Sequence, residues 1–192
     1  MIRTDAVTSG AAARPADDPG DAMEPTPSAG PETIEARFPG GRMTPEQYLA
    51  LDALAEADEA ALVIAPDHGM RVRCRTGESA RRLALLESGS VAPRAARPVA
   101  LSEAPGLTPQ GDGYWSIFLA VPEGRITDGG AAPLRTALRE VIARWRPTPV
   151  LTKSRNVVLA NIDPESVLDV EAELRARGIA LGRNVADILP QA

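Results

Sequence analysis

The chain has 192 residues, 44% of them hydrophobic, with 21 Lys and Arg against 26 Asp and Glu and a formal net charge of −5. That is room for one domain of ordinary size with a real apolar core. The negative balance argues against a nucleic-acid partner, and no apolar run reaches the eighteen or so residues of a membrane helix.

Residues 1–10 lack the apolar stretch of a secretory signal, so a cytoplasmic protein is expected. Cys74 and His68 are the only residues of their types. One copy of the chain therefore cannot build a zinc site of about four ligands, a cluster held by about four thiolates or an internal disulfide. Two each of Phe, Tyr and Trp leave the core to Ala, Val, Leu and Ile. Twenty Arg against the single Lys153 is a compositional bias, not a chemical signal.

Residues 1–31 are rich in Ala, Gly, Pro and Asp and poor in large apolar side chains. Such a segment cannot offset its ordering entropy and is expected to be a disordered tail. A first patterned block, 32–88, opens with a strand at 34–38 and the turn Pro39-Gly40-Gly41-Arg42. Thr44 as N-cap, Pro45 at the first helical position and Gln47 completing a capping box predict a helix. Tyr48, Leu51, Leu54 and Ala55 form its buried face. A strand at 61–65, the turn Pro66-Asp67-His68-Gly69, a half-buried strand at 70–75 and a helix at 78–87 follow.

Residues 89–112, with several Pro and Gly, are expected to be a linker. The second block, 113–192, repeats the plan. A strand at 115–121 leads through Pro122-Glu123-Gly124-Arg125 to a helix at 134–145. A short strand at 150–151, the turn Thr152-Lys153-Ser154-Arg155 and a strand at 156–162 come next. Asp163 caps a helix over 164–177, and Gly178 sits where a C-cap glycine belongs. FPGGRMT in the first block corresponds to VPEGRIT in the second, with Arg42 and Arg125 in equivalent places. The expected fold is α+β: two βαββα half-domains in pseudo-two-fold duplication, each covering the sheet face that the other cannot cover alone.

The stretches YWSIFLAVPEGRITDGGAAPLRTALREVIARW and TPVLTKSRNVVLANIDPESVLDVEAELRARGI resemble the second ferredoxin-like half-domain of the sirohaem-dependent sulfite and nitrite reductases, nearest the sulfite reductase haemoprotein. RFPGGRMTPEQYLALDALAE resembles the first half-domain. The resemblance covers about 34–88 and 112–182. It implies sirohaem bridged to a [4Fe–4S] cluster, but the cysteine pairs and the lysine-bearing segment that the family uses for catalysis have no counterpart here, so no catalytic or metal-binding residue is assigned. Either cofactor is expected only through a partner chain. Where the family has an Arg in the first-block turn, this chain has Asp67, which inverts the charge facing an anion.

Cofactor- or anion-binding candidates are Thr152, Lys153, Arg155 and Asn156 in the second-block turn, and Arg71 and Arg73 on one face of the strand at 70–75. Each has a plainer reading: a solvated turn for the first group, and a charge-protected strand for the second. Arg42 and Arg125 are expected to fix their turns, His68 to be a surface turn residue, and Cys74 a buried, inert thiol. The function that follows is an accessory or partial subunit of a sirohaem-type assimilatory reductase. The alternative is a non-catalytic binding or regulatory module for a tetrapyrrole, a small anion or a partner protein. The expected partners are a catalytic reductase subunit or a second copy of the chain.

Overall fold

The computed structural model describes residues 32–74 and 105–182. The expected tail, the helix at 78–87, Arg75 and most of the linker lie outside the described residues. Eight strands, three α-helices and two 3-10 turns follow in chain order: β1 (Glu32–Arg37), the turn Pro39–Gly41, α1 (Pro45–Ala57), β2 (Leu62–Ile64), β3 (Gly69–Cys74), β4 (Gly106–Pro109), β5 (Trp115–Leu119), the turn Pro122–Gly124, β6 (Arg125–Ile126), α2 (Leu134–Trp145), β7 (Thr148–Leu151), β8 (Val157–Ile162) and α3 (Val167–Ala176).

Two antiparallel four-stranded sheets result. Sheet A has the order β1-β3-β2-β6 and sheet B the order β4-β5-β8-β7. β1-β3-β2 in the first block matches β5-β8-β7 in the second. The blocks also exchange edges. β6 leaves the second-block turn to pair with β2, while Arg42 leaves the first-block turn to bridge Val150 on β7. The two turns share a backbone as well. Positive φ occurs at Gly40 and Gly41 (60° and 72°) and at Glu123 and Gly124 (54° and 71°). In each, the amide of the following arginine closes the turn onto the carbonyl of the proline.

α1 begins where the sequence signals it. Thr44 accepts from the Gln47 amide and Gln47 accepts from the Thr44 amide, a complete capping box. Its inward residues Tyr48, Leu51, Leu54 and Ala55 join the inner strand faces, Val141 and Ile142 of α2, and Val170 and Leu174 of α3 in one core. A second buried group, Phe118, Val150, Val158 and Ala160, lies on the opposite face of sheet B. β8 is thus apolar on both sides over Val157–Ala160, which is why those four residues form an unbroken apolar run before the exposed Asn161.

Besides β6, a strand where the sequence suggested only a turn, two elements depart from expectation. Gly106–Pro109, placed in the linker by its Pro and Gly content, is the edge strand β4, with Leu107 buried and Thr108 opposite Ser116. An edge tolerates the proline that an inner strand would not. α3 starts at Val167, not at 164, because the Asp163 side chain accepts the Glu165 amide and its carbonyl accepts the Ser166 amide, using the capping oxygen on a turn. Its end is as expected. Gly178 at φ 76° lets its own amide reach Arg175 O and the Ile179 amide reach Leu174 O, a Schellman closure.

Candidate functional site

The strand register sorts the basic residues. On the outer face of sheet A, Glu35 of β1 lies opposite Arg71 of β3, Arg71 opposite Val63 of β2, and Val63 opposite Arg125 of β6. One pleat along, Arg73 lies opposite Thr33. Arg71 and Arg73 are both exposed on this face, with Val72 buried between them, as the alternation predicts. Arg71, Arg73 and Arg125 converge on an open groove of about 520 Å³ floored by Thr33, Ala61 and Val63, with Asp58 and Glu59 at the turn leading into β2. Arg71 donates to Glu35 at 2.7 Å. Arg73 and Arg125 carry no ion pair among the described residues. Arg125 was expected only to fix its turn. Its amide does that, while its side chain is exposed at the groove.

The second-block turn is organised differently. Thr152 is buried, and its hydroxyl accepts the Asn156 amide at 3.1 Å and bonds the Ser154 hydroxyl at 2.8 Å. Asn156 Oδ1 accepts the Val121 amide at 2.9 Å. These two candidates are therefore committed to holding the turn and anchoring it to the end of β5. Lys153 and Arg155 remain exposed. Arg155, at φ 62°, packs against Gly124, and neither cation lines the groove on sheet A.

The first-block turn is more engaged than its sequence suggests. His68, at φ 64°, places Nδ1 2.8 Å from Leu151 O, so the ring donates across to β7 instead of lying free on the surface. Asp67 pairs with Arg37 Nη2 at 2.9 Å, and Arg37 pairs with Glu35 at 3.0 Å. The inverted charge at Asp67 is thus locally compensated, and the ion pairs run Asp67–Arg37–Glu35–Arg71 up the face. Of Cys74 only its place at the end of β3 is described.

The sequence reading missed a buried ionic cluster between α1 and α2. Asp52, 2% exposed, accepts from Arg135 Nε at 2.6 Å and also from Arg139, which reaches on to Glu56. The Asp52 bond, ahead of the Glu56 bond, pushes the Arg139 guanidinium well above its ordinary pKa. Beside them the Tyr48 hydroxyl is fully buried without a hydrogen-bond partner, and burial, reinforced by Asp52, raises its pKa far above the usual phenol value. The signal was present: Asp52 follows Tyr48 by four positions, on the face that carries Leu51 and Ala55. A carboxylate on an apolar face needs a buried cation. Among the described residues no group of three or more His, Cys, Asp or Glu is placed to hold a metal ion, and no helix is long and apolar enough to cross a membrane.

Comparison with known proteins bears on the second block. Residues 108–177 match the nitrite/sulfite reductase ferredoxin-like half domain. The ferredoxin sulfite reductase of Synechococcus elongatus is 39% identical over 74 residues, 38% of this chain and 12% of that protein. The NADPH sulfite reductase haemoprotein beta-component of a Paenibacillus species is 37% identical over 73 residues, 38% of this chain and 13% of that protein. The Shewanella oneidensis counterpart is 31% identical over 68 residues, 35% of this chain and 12% of that protein. The chain thus spans only 12–13% of the length of these relatives.

Proposed function

We propose, from the match of residues 108–177 to the nitrite/sulfite reductase ferredoxin-like half domain, that this chain is an accessory or partial subunit of a sirohaem-type assimilatory reductase, working in the cytoplasm. The observation that carries the reading is the match itself, which runs through β5, α2, the 152–156 turn and β8. The 192 residues hold Cys74 alone. A [4Fe–4S] cluster does not fit that inventory, and its thiolates would come from outside these residues, on a catalytic partner chain. Sirohaem carboxylates do fit the donors present. Arg71, Arg73 and Arg125 offer guanidinium forks suited to carboxylate oxygens, and Lys153 and Arg155 offer two further exposed cations. Sirohaem, when bound, supplies the iron at which an anion such as sulfite is reduced. This chain's residues bind and orient, and none is assigned a proton or an electron to move.

The first block completes the reading as a second, related half-domain. Its support is the matched strand order of the two sheets, the similar positive φ values of the 39–41 and 122–124 turns, and the exchanged edges at β6 and Arg42. The alternative, a non-catalytic binding or regulatory module, draws on Asp67. In this chain the first-block turn presents a carboxylate already paired with Arg37 in place of a free cation.

The test is co-expression of the full chain with a sirohaem reductase polypeptide of the same organism, followed by size-exclusion chromatography with light scattering and visible absorbance. The subunit reading expects this chain to co-elute with the coloured protein at a defined ratio. Elution alone, as a monomer or homodimer, at tens of micromolar would overturn it and leave the binding module.

A further inference from the structure

We infer that Asp112, in the loop between β4 and β5, is a site of spontaneous isomerisation to isoaspartate, and that the fold withholds the same chemistry from Asp128. The chain holds two Asp-Gly pairs, Asp112-Gly113 and Asp128-Gly129, and no Asn-Gly pair. A glycine after an aspartate brings no side chain to hinder attack of its nitrogen on the neighbouring carboxyl. By sequence alone the two sites are alike.

The reaction needs only water. Gly113 N attacks Asp112 Cγ and a carbon–nitrogen bond forms, closing a cyclic imide. The carboxyl hydroxyl leaves as water with the amide proton. Water then adds back to one of the two imide carbonyls. Breaking the bond from Gly113 N to the Asp112 main-chain carbonyl carbon leaves the chain running through Cβ and Cγ, whereas breaking the new bond restores aspartate. Nothing is oxidised or reduced, and the mass is unchanged overall. Closure requires a carboxyl that is protonated and whose carbon reaches the glycine nitrogen.

The two acids meet those conditions differently. Asp112 is half-buried between the exposed Gly111 and Gly113. Its Oδ1 accepts the Tyr114 amide, two residues ahead, at 3.2 Å, a turn that curls the side chain back over the intervening Gly113 nitrogen. A Cβ on Gly111 or Gly113 would meet nothing within 4 Å, so no packed neighbour resists the ring. Gly129 is equally open, and the contrast therefore lies in the carboxylates. Asp128 Oδ1 accepts the Thr136 amide at 2.9 Å and Oδ2 the Thr136 hydroxyl at 2.7 Å, which commits both oxygens to α2. Desolvation favours the protonated acid, but these bonds and one from the Arg135 amide outweigh it and hold the Asp128 pKa below its usual value. Ring closure at Asp128 must first break the clamp that starts α2. At Asp112 it disturbs a loop closed by the Gln110 amide on Tyr114 O, at the end of the edge strand β4.

The experiment ages the full chain for weeks at near-neutral pH, folded and in parallel in concentrated guanidinium chloride. Isoaspartate at each site is measured by peptide mapping with mass spectrometry against synthetic standards. In the folded chain Asp112 should convert at least about tenfold faster than Asp128, with a species lighter by one water as its intermediate. In denaturant, where the clamp is gone, the two rates should converge. Asp112→Ser keeps an oxygen for the Tyr114 amide and should abolish the loop signal. Absence of isoaspartate at Asp112 in the folded chain, equal rates at the two sites when folded, or a rate ratio that denaturation leaves unchanged overturns the inference. None of these outcomes depends on a reductase partner.

Discussion

At the scale of single residues, the two glycines after Pro39 look interchangeable in sequence and are not in space. Both have positive φ, but a Cβ on Gly40 would meet nothing within 4 Å, while one on Gly41 would lie 2.2 Å from Leu151 O and 2.9 Å from His68 Nδ1. Gly40→Ala should cost only the left-handed strain, about 1 kcal/mol. Gly41→Ala must also push two backbones apart, so its urea-unfolding loss should be about 3 kcal/mol or more. The PGG turn was legible as a turn. The reason for its second glycine was not, because the clashing carbonyl lies 110 residues later in the chain. Tyr48 gives a prediction of opposite sign. Its hydroxyl is buried without a partner, so Tyr48→Phe removes an unsatisfied polar group and keeps the ring. It should raise stability by about 1 kcal/mol in the same assay.

At the scale of elements, local signals placed the helices better than they explained their attachment. α2 lies at Leu134–Trp145 as expected from its strongly amphipathic repeat, and α1 follows its capping box. What starts α2 was hidden: its N-cap position is Pro133, and the orphan amide of Thr136 is taken by Asp128, six residues before the helix begins. Desolvation works against the charged Asp128 carboxylate, but bonds from the Thr136 hydroxyl and amide and the Arg135 amide outweigh it and hold the pKa below the usual 3.8. A depressed folded-state value means that the contribution is present above about pH 4 and is lost as pH falls through the folded value. Asp128→Asn should therefore flatten the acid limb of stability against pH below about 4, measured by urea midpoints. The clamp between α1 and α2 is stronger. Asp52→Ala strands Arg135, whose side chain is 12% exposed, beside the unsatisfied Tyr48 hydroxyl. About 3 kcal/mol should be lost in urea unfolding, more than for Arg139→Ala, whose side chain is 31% exposed.

At the scale of the whole molecule, the FPGGRMT and VPEGRIT segments led to the expectation of two similar blocks but not to how they interlock. The candidate site illustrates the difference. Arg71 and Arg73 were legible from strand alternation, whereas Arg125 joins them only because the second block lends β6 to sheet A, a pairing between positions more than sixty residues apart. Thr152 and Asn156, named as ligand candidates from the sequence, also fasten the turn, and the bond from the Val121 amide to Asn156 spans 35 positions that the sequence does not bring together. The same interlocking makes a test of cooperativity possible. Trp115 and Trp145 both belong to the second block, while Asp52 lies in the first. If the blocks folded separately, Asp52→Ala would move a circular dichroism transition and leave the tryptophan transition nearly in place. The β2–β6 pairing, the Arg42–Val150 bridge, the His68–Leu151 bond and the Asp52–Arg135 pair all cross between blocks. Opening one block therefore removes edges and helix contacts from the other. A single transition follows, in which tryptophan fluorescence and far-ultraviolet dichroism shift to the same lower urea midpoint in the variant; divergent midpoints would mean that the exchanged edges contribute little.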